Sequence, residues 1–209
     1  MEEHVPRSPV WKSAYESIAA RSRLLEMRGP RSIEELLGIE GSIANEYFRA
    51  WSGIELKWKA LRQRPIPNDW QTYKSRSALR DESRGNYAAT HPVNAMLNYA
   101  YGVLMARTQV QLIAEGYDPT IGLLHGRESE RGKYPAFALD RMEPMRPVVD
   151  RAVLMLTSST TFTGGDFSIQ PDGVCRLNPE FARRVAQSAV EHLAIAHANL
   201  SSNPLRVPT

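Results

Sequence analysis

Between Val10 and Met27 the apolar residues Val10, Tyr15, Ile18, Ala19, Leu24 and Leu25 recur at offsets near three, four and seven, which predicts an amphipathic helix. Gly29-Pro30 closes it, glycine ending the helix and proline barring its continuation. Ser32 followed by Glu35 reads as a capping box for a second helix, in which Leu36, Leu37, Ile43, Tyr47, Phe48 and Trp51 share an apolar flank. Glu40 interrupts that helix between Ile39 and Gly41. A helical glycine costs about 1 kcal/mol relative to alanine, so Gly41 is expected to make room for a ligand or another backbone. Thr90-His91-Pro92 opens a long helix, where Val93, Met96, Leu97, Ala100, Leu104 and Val110 cover most of the circumference and predict a central, buried element. Gly116 ends it, and Asp118-Pro119 turns the chain into TIGLLH. A further apolar helix, VVDRAVLMLTSS, begins with Pro144 and Pro147 in its first turn, and PEFARRVAQSAVEHLAIAHANL forms the last. Only Asp166–Gln170 and Val174–Leu177, around the turn Pro171-Asp172-Gly173, read as strands. The expected fold is mainly α: one helical-bundle domain over residues 1–209 with a single short β-hairpin in its C-terminal part. A leader helix lies within 1–31 and a frayed tail covers 200–209.

Residues 62–90 break this regularity. Arg62, Arg64, Lys74, Arg76, Arg80 and Arg84 crowd a polar stretch with little periodicity, which predicts an exposed basic connection. Trp70 and Tyr73 stand among those cations. They could stack on bases while arginines hold phosphates, or tuck back onto the core. A net charge of +3 and a pI of about 9.1 are only mildly basic, so the distribution of charge matters more than its sum. The single cysteine, Cys175, cannot form an internal disulfide and reads as a small hydrophobe. The first residues carry charges and prolines where a secretory signal needs an apolar run, and no run approaches the roughly 20 apolar residues that span a bilayer. The expectation is a soluble, cytoplasmic protein without membrane contact.

The chemistry concentrates in HGRESERGKYPAFALDRMEPMRP, from His125 to Pro147. Asp140 and Glu143, three residues apart, project to one side of a helical turn. Carboxylates that close repel, and either a divalent cation or neighbouring arginines (Arg141, Arg146) must compensate. Spacing alone leaves both open. His125 adds an imidazole that intermediate cations accept. His91 looks like a capping residue, and His192 and His197, off a common face of the last helix, like packing or surface residues. Asn94 and Asn98 need hydrogen-bond partners if buried, from a helix neighbour or from a phosphate or metal-bound water. No serine or cysteine nucleophile pattern, glycine-rich phosphate loop or zinc-type cysteine spacing is present.

Taken in order, GIEGSIANEYFRAW, HPVNAMLNYAYGVL, GYDPTIGLLHG, ALDRMEPMRPVVDRAV and DFSIQPDGVCRLNPEFARRV resemble the CRISPR-associated spacer-acquisition integrases, the Cas protein one family. The resemblance runs from about Ser32 to about Ala186. It implies that Glu40, His125 and Glu143 are catalytic metal ligands for Mg²⁺ or Mn²⁺, with Asp140 supporting the site or joining it. His125 could instead act as general acid or base. The activity implied is joining of a DNA 3′-hydroxyl to a target phosphodiester, or nicking when water attacks. Arg76, Arg80, Arg84, Arg127, Arg131, Lys133 and Arg146 are the candidate phosphate contacts.

The expected partners are duplex DNA with 3′-hydroxyl ends, repeat-like target DNA and a second copy of the chain, since integration at two strands needs two active sites. Family members carry an N-terminal β-rich domain that shapes the dimer, whereas here a short polar leader precedes the helical part. That difference puts the family's small ferredoxin-like partner, Cas protein two, in question. It also admits alternatives: a non-catalytic DNA-binding or assembly subunit, or a stand-alone defence nuclease or transposon-type integrase.

Overall fold

The computed structural model describes residues 11–59, 65–76, 89–122 and 135–202. They fall into two compact units, one drawn from residues 1–95 and 158–176, the other from 96–157 and 177–209.

In the first unit α1 (Trp11–Arg28) packs on α2 (Ile33–Ala50). Gly29 takes φ +64, a conformation that costs glycine nothing, and its N–H donates to the Leu25 carbonyl at 2.8 Å. Ser32 caps α2 as expected, its Oγ accepting from the Glu35 N–H at 3.1 Å. The reciprocal bond reaches one residue further back, with Glu35 Oε2 accepting from the Arg31 N–H at 2.7 Å. The apolar flank of α2 is only half covered: Leu37 is 36% exposed, and full burial begins at Ala50 and Trp51.

The core of this unit is aromatic. Trp58 stacks on Trp70 with centroids 6.0 Å apart, and Phe162 and Phe167 close on Trp58 at 5.5 and 5.9 Å. Here the structure adds a β-element that the pattern did not predict. β1 (Lys57–Lys59) pairs in parallel with β2 (Thr161–Thr163), placing Trp58 opposite Phe162. Three residues with a partner a hundred positions away leave no local signal, and the pairing is selected by packing of the central aromatics, half-buried Trp58 on buried Phe162. The predicted hairpin is present as β3 (Phe167–Ile169) and β4 (Cys175–Leu177), turning at Gly173 with φ +83.

The aromatics of the basic stretch are part of this core. Trp70 is buried and donates from Nε1 to the Thr90 carbonyl at 2.8 Å, while Tyr73 packs against Trp51 and His91. Base stacking by either ring is thereby overturned, because desolvating both rings against the unit's own apolar residues leaves no face for a base. Tyr73 also donates to Asn94 Oδ1 at 3.1 Å, and Asn94 Nδ2 donates to the Ser75 carbonyl at 2.9 Å. Asn94 therefore meets its need for partners by fastening residues 73–75 to the helix that follows.

His91 opens that helix, α3 (Pro92–Ala114), its Nδ1 accepting from the Val93 N–H at 3.2 Å. Burial lowers its pKa from the usual 6.5 to about 4, against the opposing pull of the Asp69 charge and the Trp70 backbone. Between those two values the unfolded chain binds the proton that the folded chain refuses. Stability is thus expected to fall as pH drops from about 6.5 to about 4, by as much as about 3 kcal/mol, and to level off below. Chemical denaturation across pH should show this limb in the wild type and not in His91→Asn, which keeps a capping oxygen. An unchanged limb in the variant would assign the acid sensitivity elsewhere. Burial, aided by Asp69, pushes the Cys175 thiol up to about 12, so it remains a protonated small hydrophobe.

In the second unit α3 continues, with Met96, Leu97, Ala100, Leu104 and Leu112 buried. Its last turns depart from the expected burial. Val110 is 69% exposed, as is much of Ile113, so the helix is covered all round only over its first residues, 92–97, and beyond Ala100 burial narrows to Leu104 and Leu112. Gly116 ends the helix at φ +84. The chain resumes with α4 (Ala136–Met142), a 3₁₀ turn (Glu143–Met145), α5 (Arg146–Ser159) and, after the hairpin, α6 (Pro179–Ser202). Phe181, Val185, Ala189 and Leu193 form the buried stripe of α6, four residues apart. His192 is a packing residue, its ring nitrogens facing the Ser188 carbonyl at 2.8 Å and Met155 Sδ at 3.2 Å. Among the described residues no helix is long and apolar enough to cross a membrane.

Candidate active site

Asp140 lies in the last turn of α4, and Glu143 begins the 3₁₀ turn that leads into α5. Proline at 144 and again at 147 suits this junction, because the opening of a helix leaves N–H groups without intrahelical partners in any case. Ala136, Ala138 and Met142 bury the other side of α4, leaving Asp140 and Glu143 half-buried. The acidic pair thus sits at a helix end that is anchored but open to solvent.

Arg146, one turn on, supplies the compensation that the spacing demands. Its Nη2 lies 2.8 Å from Glu143 Oε1, and its guanidinium carbon lies 5.0 Å from the centroid of the Tyr101 ring on α3. The Tyr101 hydroxyl in turn donates to Oδ1 of Asp150, a buried carboxylate one turn further along α5. Tyr101 and Asp150 carried no weight as isolated residues. The available signal was an acid inside the apolar run VVDRAV, since a buried carboxylate needs a partner. The partner itself, 49 positions away, could not be read off.

Gly122 sets the approach to this junction. A Cβ built there would stand 2.5 Å from the Ala136 carbonyl carbon and 2.8 Å from its oxygen, so the strand of chain entering residues 123–134 rests directly on the backbone that starts α4. Phe137 and Ala138 N–H groups donate to the Pro119 carbonyl at 2.9 and 3.2 Å, fixing the same contact.

Glu40 is half-buried in the middle of α2, in the first unit, whereas Asp140 and Glu143 belong to the second. An added Cβ at Gly41 would meet no atom of the described residues, so no described backbone requires that glycine. His125, Arg127, Arg131 and Lys133 lie outside the described residues, as do Arg80 and Arg84. Among the described residues no three His, Cys, Asp or Glu side chains stand close enough to hold a metal ion, and His125 is not among them. Arg76 sits over the Phe48 ring at 5.5 Å, with Nη1 3.5 Å from the Asn94 carbonyl oxygen and Oδ1.

Residues 5–191 match the family described as CRISPR associated protein Cas1. A CRISPR-associated endonuclease Cas1 of Thermus thermophilus is 40% identical over 172 residues, covering 81% of this chain and 46% of the relative. One from Leptospira interrogans is 31% identical over 180 residues, covering 86% and 62%. A CRISPR-associated exonuclease Cas4/endonuclease Cas1 fusion of Geobacter sulfurreducens is 34% identical over 168 residues, covering 76% of this chain and 25% of the fusion. Among solved structures, a casposase bound to integration product aligns with a TM-score of 0.59 at 25% identity, covering 88% of this chain and 53% of that one. This chain therefore spans a quarter to just under two thirds of the length of the proteins it matches.

Proposed function

The chain belongs to the CRISPR-associated Cas1 family, and from that premise we propose that it is a divalent-metal-dependent DNA integrase and endonuclease. One observation carries the reading: the family match over residues 5–191 contains Glu40, His125, Asp140 and Glu143 in a single ordered stretch. A similar protein, the casposase, is described as bound to an integration product, which supports DNA as the substrate class here.

Two carboxylates and an imidazole are the donor set that Mg²⁺ or Mn²⁺ accepts, and Glu143 is partly exposed and already holds a cationic group. Glu40, His125 and Glu143 would hold the ion, and Asp140 would support or join them. Bound there, the ion would polarise a phosphodiester and offset the charge of in-line attack. The attacking 3′-hydroxyl of one DNA end gives up its proton as its oxygen bonds to phosphorus. The bond to the target strand's 3′-oxygen breaks, and that oxygen gains a proton. His125, if it is not a ligand, moves one of these protons. With water as nucleophile the same displacement nicks the strand. Arg76, Arg80, Arg84, Arg127, Arg131, Lys133 and Arg146 would hold phosphates of the two duplexes. Two copies of the chain would place two such sites for the two strands.

The test mixes labelled 3′-hydroxyl duplex with supercoiled plasmid in Mn²⁺, Mg²⁺ or EDTA. Label joined to plasmid with either metal, and absent in EDTA and in Glu40→Ala and His125→Ala, is the expected result. Metal-dependent nicking without joining would restrict the activity to endonuclease. DNA binding with neither reaction would overturn the enzymatic reading in favour of a DNA-binding or assembly subunit.

A further inference from the structure

Arg146 occupies a position with little to recommend it apart from Glu143. It follows the 3₁₀ turn directly, its backbone N–H donating to the Glu143 carbonyl, so the side chain and not the backbone is what needs explaining. Its Nε is buried without a hydrogen-bond partner, which costs free energy in the folded state. What holds it are the Glu143 carboxylate at 2.8 Å and the Tyr101 ring at 5.0 Å. The ring is itself oriented by the bond from its hydroxyl to buried Asp150, and donation to a carboxylate enriches the ring's electron density and so its attraction for a cation.

From this geometry we propose that Arg146 is a placeholder cation, a positioning residue that pairs with Glu143 while no divalent ion is bound and gives it up when one binds. The proposal rests on the reading of Glu143 as a metal ligand. Glu143 is a partly exposed carboxylate three residues from Asp140. Paired with a guanidinium anchored on Tyr101, it stays at the helix junction. The cost falls on affinity, because binding a divalent ion must first break the pair and then tolerate a guanidinium nearby. Tyr101 and Asp150 set where the displaced guanidinium rests.

The experiment is a titration of the full chain with Mn²⁺, following free Mn²⁺ by electron paramagnetic resonance, with thermal unfolding of each variant alongside. Glu143→Ala should bind Mn²⁺ at least about tenfold more weakly than wild type. Arg146→Gln should bind it about tenfold more tightly, whereas Arg146→Lys, which keeps the charge, should stay near wild type. Damage to the fold can only loosen metal binding, so tightening separates a competing cation from a structural role. Should Arg146→Gln unfold, Tyr101→Leu takes its place, removing the ring that anchors the guanidinium, and a smaller tightening is expected. Affinity unchanged or weakened in the folded variant, with Glu143→Ala still weak, overturns the placeholder role alone. Equal affinities of wild type and Glu143→Ala overturn the ligand reading and the placeholder with it.

Discussion

Glu143→Ala is expected to abolish strand joining and nicking, by at least about 100-fold, while leaving the protein folded and able to bind DNA. The large effect follows from its proposed place in the site. An in-line displacement at a phosphodiester gains most of its acceleration from positive charge fixed near the reacting oxygens, and losing a group that fixes such charge typically costs about 100- to 1,000-fold. The small effect on stability follows from geometry. The Glu143 side chain is 26% exposed and its partner Arg146 33% exposed, and a partly solvated pair contributes only about 1 kcal/mol or less. The carboxylate lies on a 3₁₀ turn none of whose residues is buried. Removing a negative charge beside Arg146 should, if anything, help DNA to bind. The joining assay and a thermal melt on the same preparation decide the matter. Activity within tenfold of wild type would remove Glu143 from the site, and a collapsed melt would show that its role is structural.

The second large effect is expected at Gly122. In Gly122→Ala the new Cβ would lie 2.5 Å from the Ala136 carbonyl carbon, 2.7 Å from its Cβ and 2.8 Å from its oxygen. Two of these are backbone atoms at the start of α4, and they cannot rotate aside as a flexible side chain can. Either the chain at Gly122 or the first turn of α4, the short helix whose last turn carries Asp140, must move. Overpacking of this kind costs about 1–3 kcal/mol, which in a chain of this size lowers Tm by roughly 2–10 °C. Because the displaced segments carry proposed site residues, joining should fall at least about tenfold even at temperatures where the variant is folded. Adding Ala136→Gly to the variant removes only one of the three clashes and should restore little. Full restoration of Tm by that second change would show that the contact is between side chains rather than backbone.

The helices were legible because each carries its own instructions. Ser32 and Glu35, Gly29, His91-Pro92 and Gly116 mark ends by local chemistry, and the structure places helix boundaries at or within a residue or two of them. The hairpin around Gly173 was legible for the same reason. The mainly α class and the family followed from sequence order alone. Burial was less so. Val110 shares the apolar character of Leu104 yet faces solvent, because periodicity says which side of a helix is apolar and not how far a neighbour extends to cover it. Trp70 and Tyr73 sit among cations in the sequence but belong to a core assembled from α2, β1, β2 and the hairpin.

At the candidate site the division runs through single residues. The sequence singled out the candidate residue types, two carboxylates three positions apart and an imidazole upstream, since those side chains are unnecessary to a buried helix. Tertiary structure decided which cation meets Glu143 and what stands behind that cation. Arg146 was one of two arginines in reach, and its choice rests on a Tyr101 ring from α3 and a buried Asp150 that no local pattern connects. The physical reason is range. Caps, turns and periodicity act within a few residues of chain and are written there, whereas packing and electrostatic partners are selected by proximity in space after the chain has folded.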